Sequence, residues 1–87
     1  MKVLVFTTSE EPMDEVLDLL LTQLTERQIS YQLLDVIDTN HDAQKQLYDI
    51  ATVPAIVVCL DDGTATEVWQ NYLPSVDQVV VALGLNV

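Results

Sequence analysis

Basic residues are scarce in this sequence, which has three Lys and Arg residues against fourteen Asp and Glu and a formal net charge of -11. A surface with this balance repels the phosphate backbone of nucleic acids, so we expect no nucleic-acid partner. A partner with basic side chains is the complementary case. The three bases are Lys2, Arg27 and Lys45.

Cysteine is nearly absent as well, because Cys59 is the only one in the chain. A single thiol excludes an intrachain disulfide and a cysteine-rich zinc site, and it is typical of a reducing compartment, so we expect a cytoplasmic protein. Cys59 lies in the most apolar segment, residues 53–60. This position favours a buried core cysteine, since a reactive thiol needs exposure and an electropositive setting.

Long apolar runs are missing too. The longest, residues 53–60, falls well short of the roughly 20 residues that cross a bilayer. The apolar start of the chain turns polar at Thr7 without a cleavage site. We therefore expect no membrane partner and no signal peptide.

The composition, with two Gly, three Pro and 49% hydrophobic residues, is typical of a folded protein. The length of 87 residues suits a single domain, over residues 1–87.

The spacing of the apolar residues predicts an α/β fold in the order strand, helix, strand, helix, strand, strand, helix. The strands are expected at residues 2–7, 30–37, 53–60 and 64–71, and the helices at 12–27, 41–49 and from Pro74 to Gly84. Ser9 is expected to cap the first helix. The apolar stripe of that helix consists of Met13, Val16, Leu17, Leu20, Leu21 and Leu24. Such an order predicts one mixed sheet with helices on both faces.

Several segments resemble the thioredoxin and glutaredoxin superfamily, and together they cover nearly the whole chain. Residues 47–58 are similar to the thioredoxin stretch that runs through a cis-proline into a strand, with Thr52-Val53-Pro54 at the junction. Asp61-Asp62-Gly63 resembles the hairpin turn, and residues 71–75 resemble the start of the last helix. The resemblance implies a thioredoxin-like βαβαββα fold of glutaredoxin length.

In that family a Cys-x-x-Cys motif stands at the start of the first helix. The matching tetrapeptide here is Glu11-Pro12-Met13-Asp14, with carboxylates at both thiol positions. A carboxylate can neither attack a disulfide nor resolve a mixed disulfide. The resemblance therefore implies that the dithiol chemistry is lost, and we predict no catalytic residue and no cofactor.

Other polar residues have simpler interpretations. Residues 38–42 and Asp49 match part of a calcium loop, but the sixth position is not Gly, which favours helix capping over a metal site. His41 is expected at a cap or on the surface. Two aromatic residues after the hairpin turn are expected to pack on the sheet: Trp69 and Tyr72.

Glutathione binding in the related glutaredoxins uses the backbone beside the cis-proline and nearby basic side chains. Thr52-Val53-Pro54 matches the first requirement. None of the three bases lies in a matching loop, and the acids within residues 10–15 repel an anionic tripeptide.

Three functions are consistent with the sequence. We favour a redox-inactive binding or adaptor protein that presents Glu11 to Asp14 and Thr52 to Pro54 to a protein or peptide, with basic side chains selected by the acids. The second is a thiol-disulfide oxidoreductase or glutathione-dependent protein, in which Cys59 or bound glutathione carries the chemistry. The third is an acidic regulator that acts through charge.

Overall fold

The strands and helices follow the predicted order in the structure, a computed structural model that describes residues 1–70 and 72–84. Within those residues the strands are β1 (Lys2–Thr7), β2 (Gln32–Asp35), β3 (Ala55–Cys59) and β4 (Ala65–Trp69). The helices in the same residues are α1 (Glu15–Glu26), α2 (Asp42–Leu47) and α3 (Val76–Ala82), with a 3₁₀ turn at Thr39–His41. The predicted βαβαββα order is therefore confirmed.

The described strands form one mixed sheet in the order β2-β1-β3-β4. β1 runs parallel to β2, with Phe6 opposite Leu34. It runs antiparallel to β3, with Leu4 opposite Val57, and β3 is antiparallel to β4. The helix α1 makes the long crossover that a parallel pair needs, whereas a tight turn joins β3 to β4.

The two central strands carry apolar side chains on both faces, because successive side chains of a strand point in opposite directions. One face packs under α1 and α3, in a buried cluster of Val3, Val5, Leu17, Leu20, Leu21, Leu24, Ile56, Val58, Trp69, Val76 and Val79. The other face is covered from the α2 side, in a buried cluster of Leu4, Phe6, Leu34, Tyr48, Ala55, Val57 and Cys59. The prediction of helices on both faces is confirmed.

Several predicted boundaries were too wide. β2 has four residues where the prediction covered 30–37, because Asp35 ends the strand by accepting the N–H of Ile37 on its own side chain at 3.0 Å. Asp38 then caps a 3₁₀ turn, accepting the N–H of Asn40 at 2.9 Å, so that α2 begins at Asp42. The predicted hairpin strand reached Asn71, which lies outside the described residues.

The last helix agrees closely with its prediction. Ser75 caps α3 in a reciprocal pair with Gln78, in which each side chain accepts the backbone N–H of the other residue. Gly84 follows the helix with a φ of 74°, a left-handed conformation that glycine adopts at low cost. In the described part of the chain, no helix has the length and apolarity needed to span a membrane.

Candidate functional site

The segment before α1 holds the tetrapeptide singled out in the sequence, and it ends in the helix cap. Asp14 has extended backbone, and its Oδ1 accepts the N–H of Val16 at 2.8 Å and of Leu17 at 3.3 Å. The prediction that Ser9 caps a helix starting at residue 12 was wrong. Asp14 satisfies the free N–H groups of the first turn, so the residues before it stay outside the helix.

Ser9 has a different role, because it ties the start of this segment to the end of β2. Its backbone N–H donates to Oδ1 of Asp35 at 3.3 Å. Hydrogen bonds from Ser9 and from the backbone N–H of Ile37 lower the pKa of Asp35 below its usual value. The side chain of Asp35 therefore accepts these bonds as a carboxylate at neutral pH, and it links Ser9 to the end of β2.

On the other side of the site, the Val53–Pro54 peptide bond is cis. The loop that leads into it is held by the side-chain amide of Gln70, which follows β4. Oε1 of Gln70 accepts the N–H of Ala51 at 2.8 Å and of Thr52 at 3.4 Å, while Nε2 donates to the carbonyl oxygen of Asp49 at 3.1 Å. The Thr52 hydroxyl donates to the carbonyl oxygen of Gln70 at 2.9 Å. One amide thus bonds the backbone of three loop residues.

Two depressions adjoin at Pro54, and we refer to them together as the furrow. The smaller, of about 270 Å³, is lined by Thr7, Thr8, Glu11, Pro12, Asp14, Leu17, Val53 and Pro54. The larger, of about 460 Å³, is lined by Asp14, Val16, Thr52, Val53, Pro54, Gln70, Tyr72 and Leu73. Asp14, Val53 and Pro54 line both depressions, so the helix tip and the proline junction face each other across one surface.

The sequence-predicted site residues are thus brought together with one exception. Glu11, Pro12 and Asp14 line the furrow together with Thr52-Val53-Pro54. Met13 lines a different groove, between α1 and β2. Its side chain is 42% exposed, so the prediction that it belongs to the buried stripe of the helix was wrong.

Two further apolar residues are exposed where packing was expected. Val16 is 62% exposed and Tyr72 is 64% exposed, and both line the larger depression. Val16 lies in the same first turn as Leu17, which is buried, so Val16 is on the side of α1 that faces away from the core. For Trp69 the packing prediction is confirmed, since its ring is buried under α3.

Gln70 and Tyr72 are site residues that sequence reasoning did not assign. Gln70 carries no signal of its own, since a polar residue after a strand is common and its three partners lie about twenty positions earlier. Tyr72 carries no decisive signal either, since aromatic residues serve cores and interfaces alike.

Comparison with known proteins rests on structure. No protein-family model and no curated protein sequence matches the chain. Among solved structures, thioredoxin 1 from the thermophilic eubacterium Thermosipho africanus TCF52B superposes with a TM-score of 0.65, covering 97% of this chain and 91% of that chain at 18% sequence identity. The fold is thioredoxin-like. At this identity the likeness establishes the fold, and function has to be argued from the residues.

In this thioredoxin-like fold, Cys59 lies away from the furrow. It ends β3 within the sheet, is 1% exposed and packs in the cluster with Tyr48 and Val57. The prediction of a buried core cysteine is confirmed.

The hydroxyl of Tyr48 donates to the carbonyl oxygen of Gly63 at 2.7 Å. Burial of the phenol, and then the neighbouring Cys59 thiol, raise the pKa of Tyr48 to about 12.

The residues that partly match a calcium loop are built into turns. Asp38 caps the 3₁₀ turn, as the capping interpretation predicts, and Asp42 lies in the first turn of α2. His41 is half-buried, with Nδ1 3.2 Å from the carbonyl oxygen of Asp35. Among the described residues, no three His, Cys, Asp or Glu side chains lie close enough to hold a metal ion.

The charges around the furrow are of one sign. Glu11 and Asp14 line it, Glu10 and Glu15 are exposed beside them, and none of the basic side chains among the described residues lines either depression. Arg27 is paired with Asp77 across α1 and α3 at 3.0 Å. The helix tip therefore presents negative charge to whatever enters the furrow.

Proposed function

We propose that this chain is a redox-inactive, thioredoxin-like binding protein that holds an extended segment of a protein partner in the furrow beside Pro54. The observation that carries the proposal is the meeting of two depressions at the proline junction, with the Glu11 segment on one side and Thr52 on the other. A thioredoxin-like scaffold that keeps this surface, but has carboxylates at the two positions of the reactive thiols, is suited to binding.

Binding is favoured over redox chemistry because the only thiol is far from solvent. Cys59 is 1% exposed and lies inside the sheet, whereas a nucleophilic thiolate needs access and a positive environment. At the helix tip, Asp14 uses one carboxylate oxygen as the cap of α1. Neither Asp14 nor Glu11 has the chemistry to exchange with a disulfide.

The shape and charge of the furrow support an extended, basic segment. Two adjoining surface depressions suit a chain that lies along the surface, with alternate side chains entering them. Val16, Tyr72 and Pro54 offer apolar surface in the larger depression. Glu11 and Asp14 offer negative charge in the smaller one, which favours Lys or Arg beside an apolar residue.

The test compares the proteins captured from a cell lysate by the wild type with those captured by Glu11→Ser/Asp14→Ser. Serine also caps helices, so the double variant removes two charges while it keeps a cap for α1. Asp38→Ser/Asp42→Ser is a matched control, because both acids begin helical turns and line neither depression. We expect the first variant to lose specific partners by about fivefold or more and the control to keep them.

Two outcomes would favour the other functions. Reduction of insulin or of a mixed disulfide by the protein, abolished by Cys59→Ser, would establish thiol chemistry. Partners lost equally in the two double variants, with steep dependence on salt, would indicate an acidic regulator that acts through its overall charge.

A further inference from the structure

The free edge of the sheet at β2 lies on a different surface from the proline furrow. β2 is the first strand in the order β2-β1-β3-β4, and only β1 pairs with it among the described residues. The N–H of Val36 donates to the carbonyl oxygen of Thr7 on β1 at 2.9 Å. Because backbone groups of alternate residues point to opposite sides of a strand, the N–H and carbonyl of Leu33 point outward.

The outward groups near the end of β2 are used within the chain. The carbonyl oxygen of Asp35 accepts the N–H of Asp38 at 3.1 Å and lies 3.2 Å from Nδ1 of His41. This turn closes the edge beyond Asp35. The open stretch is therefore short and is centred on Leu33.

An apolar groove adjoins this open stretch on the face under α1. Its volume is about 360 Å³, and its apolar walls come from Met13, Leu21, Tyr31 and Leu33. Met13 and Leu33 are 42% and 46% exposed. Thr22 and Thr25 add polar atoms, and two acids stand at the groove, Asp18 and Glu26. In the described part of the chain, no basic side chain lines it.

We propose that this edge and groove form a second docking site, which takes an extended strand of a basic protein that carries apolar and basic side chains on the same face of the strand. The strand pairs with the backbone of Leu33 at the edge of the sheet. Every second side chain of the strand faces the groove. Among these, the apolar ones cover Leu33 and Met13, and the Lys or Arg side chains lie near Asp18 and Glu26. Edge strands with exposed apolar residues are the usual place for such addition.

Charge complementarity decides the occupant. A second copy of this chain would bring another formal charge of -11 to a groove that already carries two carboxylates. Repulsion opposes that pairing, whereas a basic strand gains from the same field. The site is independent of the proline furrow, since none of the eight residues that line the groove lines either depression at Pro54.

The probe is a synthetic heptapeptide with blocked ends, Arg-Ser-Val-Ser-Val-Ser-Arg, which places Arg and Val on the same face of an extended strand. Its control, Arg-Val-Ser-Ser-Ser-Val-Arg, has equal charge and composition but places Arg and Val on opposite faces. Amide chemical shifts of the isotope-labelled protein report where each peptide binds. We expect the same-face peptide to shift the amides of Tyr31, Leu33 and Thr22, with an affinity about tenfold above that of the control peptide.

A pair of Leu→Lys variants separates the site from general attraction to an acidic protein. Leu33→Lys places a charge in the groove, and Leu19→Lys makes the same change on α1 at a residue that is 57% exposed and outside the groove. We expect Leu33→Lys to weaken binding about tenfold and Leu19→Lys less than about twofold. If Leu33→Lys does not fold by circular dichroism, Met13→Lys replaces it with the same expectation.

Three results would overturn the proposal: equal binding of the two peptides, equal weakening by the two lysine variants, or shifts confined to the residues around Pro54. The last result would leave the proposed function of the furrow standing. Loss of the furrow's partners in the Glu11→Ser/Asp14→Ser experiment has no bearing on the groove, so the two proposals fail separately.

Discussion

The side-chain amide of Gln70 is expected to hold the loop before Pro54, and its removal is the most direct test of how the site is built. Gln70→Met keeps the length and approximate volume of the side chain and removes its polar atoms. The hydrogen bond from the Thr52 hydroxyl to the backbone carbonyl of Gln70 remains, because it does not use the substituted atoms. The variant therefore isolates the three bonds of the amide.

The expected loss in the free energy of unfolding follows from those three bonds. The bonds to Ala51 at 2.8 Å and to Asp49 at 3.1 Å have good lengths, whereas the bond to Thr52 at 3.4 Å is long. A neutral hydrogen bond contributes about 0.5 to 1.5 kcal/mol net, and Ala51 and Thr52 are exposed enough for water to bond their freed N–H groups. We expect the free energy of unfolding to fall by about 1 to 2 kcal/mol.

The assay has a global and a local part. Urea denaturation gives the change in the free energy of unfolding, and the melting temperature should fall by about 4 to 8 °C for each kcal/mol in a domain of this size. Hydrogen exchange gives the local effect. The Ala51 and Thr52 amides should exchange about tenfold faster in Gln70→Met, while amides in β1 and β3 change only with global stability.

Gln46→Met is the matched control. Gln46 is exposed on α2, and its side chain makes no hydrogen bond to any described residue. We expect that substitution to change the free energy of unfolding by less than about 0.5 kcal/mol. An equal effect of the two variants, or unchanged exchange at Ala51 and Thr52 in Gln70→Met, would refute the role assigned to Gln70.

Two further predictions concern the two faces of the sheet. Tyr48 has a pKa raised to about 12 in the folded protein. The folded state therefore favours the neutral phenol. The resulting stabilisation is fully present below about pH 10 and is lost as the pH rises from about 10 to 12. Urea denaturation across that range should show a fall in stability that Tyr48→Phe lacks, and parallel pH profiles would contradict it. On the other face, Leu24 is fully buried, so Leu24→Ala should cost about 2 to 5 kcal/mol. Leu19→Ala, at a 57% exposed position, should cost far less, and an equal loss in urea denaturation would be inconsistent with this core.

Much of the candidate site could be predicted from local sequence. The carboxylates Glu11 and Asp14 and the proline junction are defined by short segments, and the fold then brings the segments together. The start of α1 was harder, because Ser9, Asp14 and the acids between them all favour helix starts. The structure selects Asp14 as the cap, while Ser9 bonds to Asp35 on a strand that is distant in sequence.

The sequence by itself determined the order of strands and helices, the burial of Cys59 and the presence of a single thiol. These properties follow from apolar periodicity and residue identity, which act over a few positions. Only the tertiary structure decided that Gln70 holds the Asp49 to Thr52 loop, that Val16 and Tyr72 are exposed, and that Met13 faces β2 instead of Pro54. Those properties depend on contacts between distant segments, and such contacts exist only once the sheet and its helices have packed.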